Sequence, residues 1–127
     1  MKRLAAERTM SAPQAQVWRV LIDLDEWPRW GPTITAAELH DADELAEGTT
    51  GRVTVVGGIA LSFVITEYTE GRSWAWSVAG VPATDHRVDA IGDRCRARIG
   101  VPILAAPYLV VCRTALRRIE RLANATT

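Results

Sequence analysis

Two side chains in this sequence could move protons together, His86 and Glu67. An imidazole titrates near pH 6.5, so it can serve as base or acid at neutral pH. Aldol or dehydration chemistry needs such a base together with an acid or an oxyanion donor. Glu67 is the nearest carboxylate able to share a surface with His86, whereas Asp85, its neighbour in the chain, points the other way if this stretch is a strand. The plainer reading of a lone inward histidine is a hydrogen-bonded core residue. Cys95 and Cys112 are the only thiols. They lack CxxC spacing and have no neighbouring groups to lower a thiol pKa, so they read as core rather than as nucleophiles. His40 and His86 stand alone in sequence, so no metal site and no other cofactor is expected.

The elements that must position these residues follow from periodicity. Lys2 to Thr9 reads as a first strand. Ser11, with Gln14 three residues on and Pro13 in the first turn, has the pattern of a capping box. Val17, Val20, Leu21 and Leu24 then form one apolar helix face. A second short helix is expected over Asp23 to Trp30, ended by Gly31-Pro32. Strands follow over Ile34–His40, Gly51–Val56, Ile59–Thr69, Ser73–Val78, Thr84–Ile91 and Arg94–Val101, with a loop at Ala79–Ala83. A helix from about Ala105 carries Tyr108, Val111, Cys112, Ala115, Leu116, Ile119 and Leu122 at helical spacing. This predicts an α+β fold: a curved antiparallel β-sheet wrapped around a long C-terminal helix, with two short helices near the N-terminus.

Turns set the register, and register sets the faces. A two-residue turn at Gly92-Asp93 puts Ala90 opposite Cys95, Val88 opposite Ala97 and His86 opposite Ile99, all on one face. A turn at Glu70-Gly71 puts Glu67 opposite Trp74, Ile65 opposite Trp76 and Phe63 opposite Val78, with Tyr68 on the outer face. The Gly57-Gly58 turn leaves Arg52 ambiguous. Its simplest register sends Arg52 inward, yet Val53 and Val55 are better core residues and a bulge would reverse the strand. The expected ligand-contacting set is Phe63, Ile65, Trp74, Trp76, His86, Val88, Cys95, Ala97 and Ile99, joined by Tyr108 and Cys112 from the closing helix. Large rings beside small residues leave space that suits an apolar ligand. Trp18, Trp27 and Trp30 read as packing at the helix corner rather than as an interface.

Composition narrows the partners. The chain has 127 residues, the size of one domain spanning 1–127. Its 15 basic and 15 acidic residues cancel, which argues against nucleic acid as a partner. Its longest apolar run, Val101–Cys112, is broken by two prolines and is too short to span a membrane. No secretory pattern precedes Met10, and two isolated thiols suit a reducing, cytoplasmic setting. A homodimer is compatible with the sequence.

The segments SAPQAQVWRVLIDLDEWPRWGP, ITEYTEGRSWAWSV and ALRRIERLA, in this order, resemble the helix-grip fold of the START-related superfamily. More narrowly the chain is similar to the SRPBCC group of polyketide cyclases/dehydrases and lipid-transport proteins. The resemblance implies a cavity between sheet and closing helix that binds a small hydrophobic or amphipathic molecule. It also admits a cyclase or dehydratase using His86 as acid/base, or a non-catalytic interaction or regulatory module, because fold alone does not choose among functions. No cyclase motif can be carried onto this sequence residue by residue.

Overall fold

Alternation of apolar and polar residues yields seven strands: β1 (Arg3–Met10), β2 (Ile34–Leu39), β3 (Thr50–Val55), β4 (Ile59–Thr69), β5 (Ser73–Val78), β6 (Val81–Ile91) and β7 (Arg94–Pro102). They belong to a computed structural model that describes residues 3–125, so Lys2, the expected start of β1, lies outside the described residues. All seven pair antiparallel in one sheet, in the order β1-β7-β6-β5-β4-β3-β2. Three helices, α1 (Gln14–Ile22), α2 (Trp27–Trp30) and α3 (Leu109–Asn124), cover its concave side, with a 3-10 turn over Ile103–Tyr108 leading into α3. The fold is the α+β helix-grip arrangement that the sequence predicts.

The start of α1 differs from expectation. Its N-cap is Pro13, with no side-chain cap hydrogen bond. Ser11 instead donates its backbone N–H to Glu120 on α3 (2.9 Å), tying β1 to the closing helix. Gln14 reaches across to the carbonyls of Gly71 (2.9 Å) and Val88 (3.1 Å). Tertiary partners outcompete the local capping box because they satisfy more groups at once. The other end of α1 is finished by indoles. Trp27 Nε1 and Trp74 Nε1 both donate to the Leu21 carbonyl, and Trp30 Nε1 donates to that of Val20. Carbonyls in the last turn of a helix lack intrahelical partners, and here three tryptophans supply them. Trp27 and Trp30 are buried, as is Trp18, so the tryptophan corner is packing.

Registers explain which faces point inward. The β6–β7 hairpin turns at Gly92-Asp93 as expected, placing His86 opposite Ile99, Val88 opposite Ala97 and Ala90 opposite Cys95. The β4–β5 connection is one residue longer than expected: Thr69 pairs with Ser73, and Tyr68, not Glu67, lies opposite Trp74. The pairing then shifts between Ile65 and Glu67, which restores the expected partners Ile65–Trp76 and Phe63–Val78. The extra residue, Thr66, is a bulge that keeps two apolar stretches on the core face. A second shift lies on the other side of Trp76, between Ala75–Asp85 and Ser77–Pro82. Irregularities on both flanks of one residue bend the sheet there. Around Gly57-Gly58 the loop also gains a residue, since Val55 pairs with Ile59. Val53 is consequently buried, while Arg52 is exposed and sits 3.8 Å from Glu38.

Candidate ligand-binding site

The concave face between Trp74 and Ile99 is filled by the protein itself. Trp27 stacks on Trp74 with ring centroids 5.0 Å apart, and Trp74 stacks on His86 at 3.9 Å. Phe63 and Trp76 meet edge to face at 5.3 Å. Aromatic pairs in these arrangements gain energy beyond area burial, so the rings form a rigid floor. Cys112, Ala115, Leu116 and Ile119 of α3 are buried over it. A void of about 40 Å³ remains beside His86, Ile99 and Cys112, enough for a few waters at most.

The larger cavity opens at one end of the grip, with a volume of about 520 Å³. Its walls come from β3 (Val53, Val55), β5 (Trp76, Val78), the bulged start of β6 (Val81, Pro82, Ala83, Thr84) and the end of β7 (Val101, Pro102). Thr33 and Ile34 line it ahead of β3, and Leu104, Ala105 and Tyr108 of the 3-10 turn close the remaining side. Among the described residues, none of those lining it carries a charge. Local sequence accounts for the opening. Pro102 and Pro107 bracket a 3-10 turn with a non-helical Ala105 inside it, so α3 begins late and leaves the end of the sheet uncovered. Leu104 stands 94% exposed at the mouth, beside the largely exposed Val81.

Polar atoms reach this wall at two places. At the rim, the Thr33 and Tyr108 hydroxyls lie 2.8 Å apart. At the floor, Trp76 Nε1 donates to Thr84 Oγ1 (2.9 Å), which lies 3.1 Å from His86 Nε2; His86 Nδ1 in turn lies 3.4 Å from the Trp74 carbonyl. The β6 irregularity is what lets Ala83 and Thr84 both face the cavity. Burial pulls the His86 pKa down to about 4, only partly opposed by the nearby Asp85 carboxylate and by the bond to Trp74. His86 is therefore neutral at pH 7, with both nitrogens engaged.

The predicted contact set divides accordingly. Trp76 and Tyr108 line the large cavity, whereas Trp74, His86, Ile99 and Cys112 do not; these four line the small void, and Trp74 and His86 also border a groove on the Glu67 and Asp85 side of the sheet. Phe63, Ile65, Val88, Cys95 and Ala97 are closed core. Glu67 is exposed on the opposite face of the sheet, a consequence of the bulge at Thr66, so it does not meet His86. Both thiols are buried and free, and burial pushes Cys112 up to about 11 and raises Cys95 as well. Sequence reading missed Thr33, Thr84 and the valines of β3. The Pro82 beside an otherwise regular strand was the available signal, since proline inside a sheet marks an edge or a bulge.

This geometry, a curved seven-stranded sheet gripping a late-starting helix around an apolar cavity, agrees with a family model. Residues 1–122 match the model described as polyketide cyclase / dehydrase and lipid transport. The chain belongs to that family. No curated relative matches the sequence. Among solved structures, the chain is similar to a protein from Mesorhizobium loti (11% identity, TM-score 0.79, covering 99% of each chain). It is similar also to one from Nitrosomonas europaea (16% identity, TM-score 0.76, covering 97% of this chain and 94% of that one). Ara h 8.0201 shares the fold as well (14% identity, TM-score 0.73, covering 98% of this chain and 99% of that one). At these identities the likeness is one of fold. Among the described residues no helix of this polyketide cyclase/dehydrase family member is long and apolar enough to cross a membrane.

Proposed function

We propose that this protein binds a small, largely apolar molecule in the cavity at the end of the grip. The observation that carries the reading is the cavity itself: about 520 Å³, walled almost entirely by aliphatic and aromatic side chains, with a few convergent hydroxyls. Sites for small ligands commonly have this size and makeup. A ligand of about twenty non-hydrogen atoms, at about 0.3 kcal/mol per atom, gains about 6 kcal/mol, a Kd in the tens of micromolar. Binding is favoured over acid–base turnover by the state of His86. Both of its nitrogens are committed to protein partners, and the carboxylate expected beside it lies across the sheet.

The test uses the neutral fluorophore N-phenyl-1-naphthylamine. Wild-type protein is expected to bind it saturably, at one molecule per chain. Ala83→Trp, which puts an indole into the cavity, is expected to weaken binding by more than about tenfold, a 1.4 kcal/mol effect. The reading fails if the wild type shows no saturable binding and native mass spectrometry of the purified protein finds no bound small molecule. It fails equally if Ala83→Trp binds the probe as well as wild type.

A further inference from the structure

We infer that the cavity floor selects a neutral ligand whose inner end carries a hydrogen-bond donor, a hydroxyl or an N–H, because Thr84 Oγ1 has only a lone pair to offer there. The inference rests on the cavity being the binding site, and it adds the polarity of what that site accepts.

The direction of the buried chain follows from its two ends. The Trp76 indole N–H is a donor only, so at 2.9 Å it occupies one lone pair of Thr84 Oγ1. The Trp74 carbonyl is an acceptor only, and His86 Nδ1 faces it at 3.4 Å. The ring hydrogen of neutral His86 therefore sits on Nδ1; the other tautomer would set two lone pairs against each other inside the core. Nε2 is then a bare acceptor. Thr84, 3.1 Å away, gives it the one hydroxyl proton it has. What remains on Thr84 toward the cavity is a single lone pair.

A ketone, aldehyde or carboxylate arriving at this floor would meet lone pair against lone pair. A carboxylate or phosphate would in addition be desolvated with no cation to meet it, because among the described residues none of those lining the cavity is charged. The rim differs. The Thr33–Tyr108 pair holds two hydroxyl protons and uses one between them, so it can both donate and accept at the mouth. The cavity thus has a polarity along its depth, with acceptor groups of a ligand tolerated outside and a donor favoured inside.

Calorimetric titration of four probes with one ring system, 2-naphthol, 2-naphthaldehyde, 2-naphthoate and 2-methylnaphthalene, reads this polarity at neutral pH. Wild type is expected to bind 2-naphthol about fivefold more tightly than 2-methylnaphthalene or 2-naphthaldehyde, the gain of one neutral hydrogen bond, with 2-naphthoate weakest. Thr84→Val is expected to erase the 2-naphthol preference while still binding 2-methylnaphthalene. Tyr108→Phe, which alters only the rim, is expected to keep the preference, and it carries the test if Thr84→Val does not fold. The inference is overturned if wild type binds the aldehyde or the naphthoate as tightly as 2-naphthol. Loss of the preference in Tyr108→Phe, or its survival in Thr84→Val, overturns it too. Failure of all four probes to bind wild type would overturn the binding reading as a whole, an outcome distinct from equal binding, which removes the donor rule alone.

Discussion

Acidifying the protein should remove stability through His86 before any carboxylate contributes. The side chain is 3% exposed and stacked on Trp74. In the unfolded chain it takes up a proton near pH 6.5, and in the folded protein only near pH 4. The unfolded state therefore binds the proton first. The stability due to neutral His86 is complete above about pH 7, falls as pH drops below 6.5, and levels off once the folded state also protonates near pH 4. From 6.5 to about 4, at about 1.4 kcal/mol per pH unit, the full loss is about 3 kcal/mol. By pH 4.5 most of it should be gone, about 10 °C in Tm for a chain of this length. Asp89 and Glu120 have pKa values held down, mainly by hydrogen bonds from Arg87 and from Ser11 and Arg8, against the opposing effect of burial. Their contributions are lost mainly below about pH 4.5, so the histidine dominates the interval from 7 to 4.5. Urea unfolding followed by tryptophan fluorescence across that interval measures the slope. His86→Phe keeps a ring on Trp74 and removes the titration, so its absolute stability shifts but its profile should be flat. A flat wild-type profile, or a His86→Phe profile as steep as wild type, would refute the reasoning.

Two further expectations concern the backbone that shapes the sheet. Gly51→Ala should cost about 2 to 3 kcal/mol in urea unfolding, because the added methyl would run into the Glu38 carbonyl and the Phe63 ring; a change below about 0.5 kcal/mol would contradict that close approach. Ala79 sits at φ 53° in the two-residue turn before Gly80, a conformation that asparagine adopts more readily than alanine. Ala79→Asn should therefore raise stability by about 0.5 to 1 kcal/mol, with Tm increasing by a few degrees, and a lower Tm would be the contrary result.

Much of the framework was legible because it is local. The alternation in Ile59–Thr69 and Ser73–Val78 marked both strands to the residue, and the Gly92-Asp93 turn fixed the β6–β7 register that brings His86 to the core side. The faces of Glu67 and Tyr68 were not legible. A three-residue loop and a one-residue bulge each reverse a face, and together they cancel further along the strand, so the pattern of Phe63 and Ile65 gives no sign of either. The Ser11 capping box was a sound local motif that lost to Glu120, a partner 109 residues away.

Periodicity along the chain was enough for the amphipathic closing helix, the buried aromatic residues and the strands apart from the start of β6, which begins at Val81 inside the expected loop, since these follow from spacing and the free energy of removing apolar area from water. Where space is left is set by the packed molecule. Trp27 folds back onto Trp74 and closes the region where a pocket was expected. The prolines at 102 and 107 delay α3 and open one at the end of the sheet. A cavity is the difference between the volume enclosed by the backbone and the volume of the side chains that reach into it. That difference depends on how residues distant in sequence pack together, and no local pattern records it.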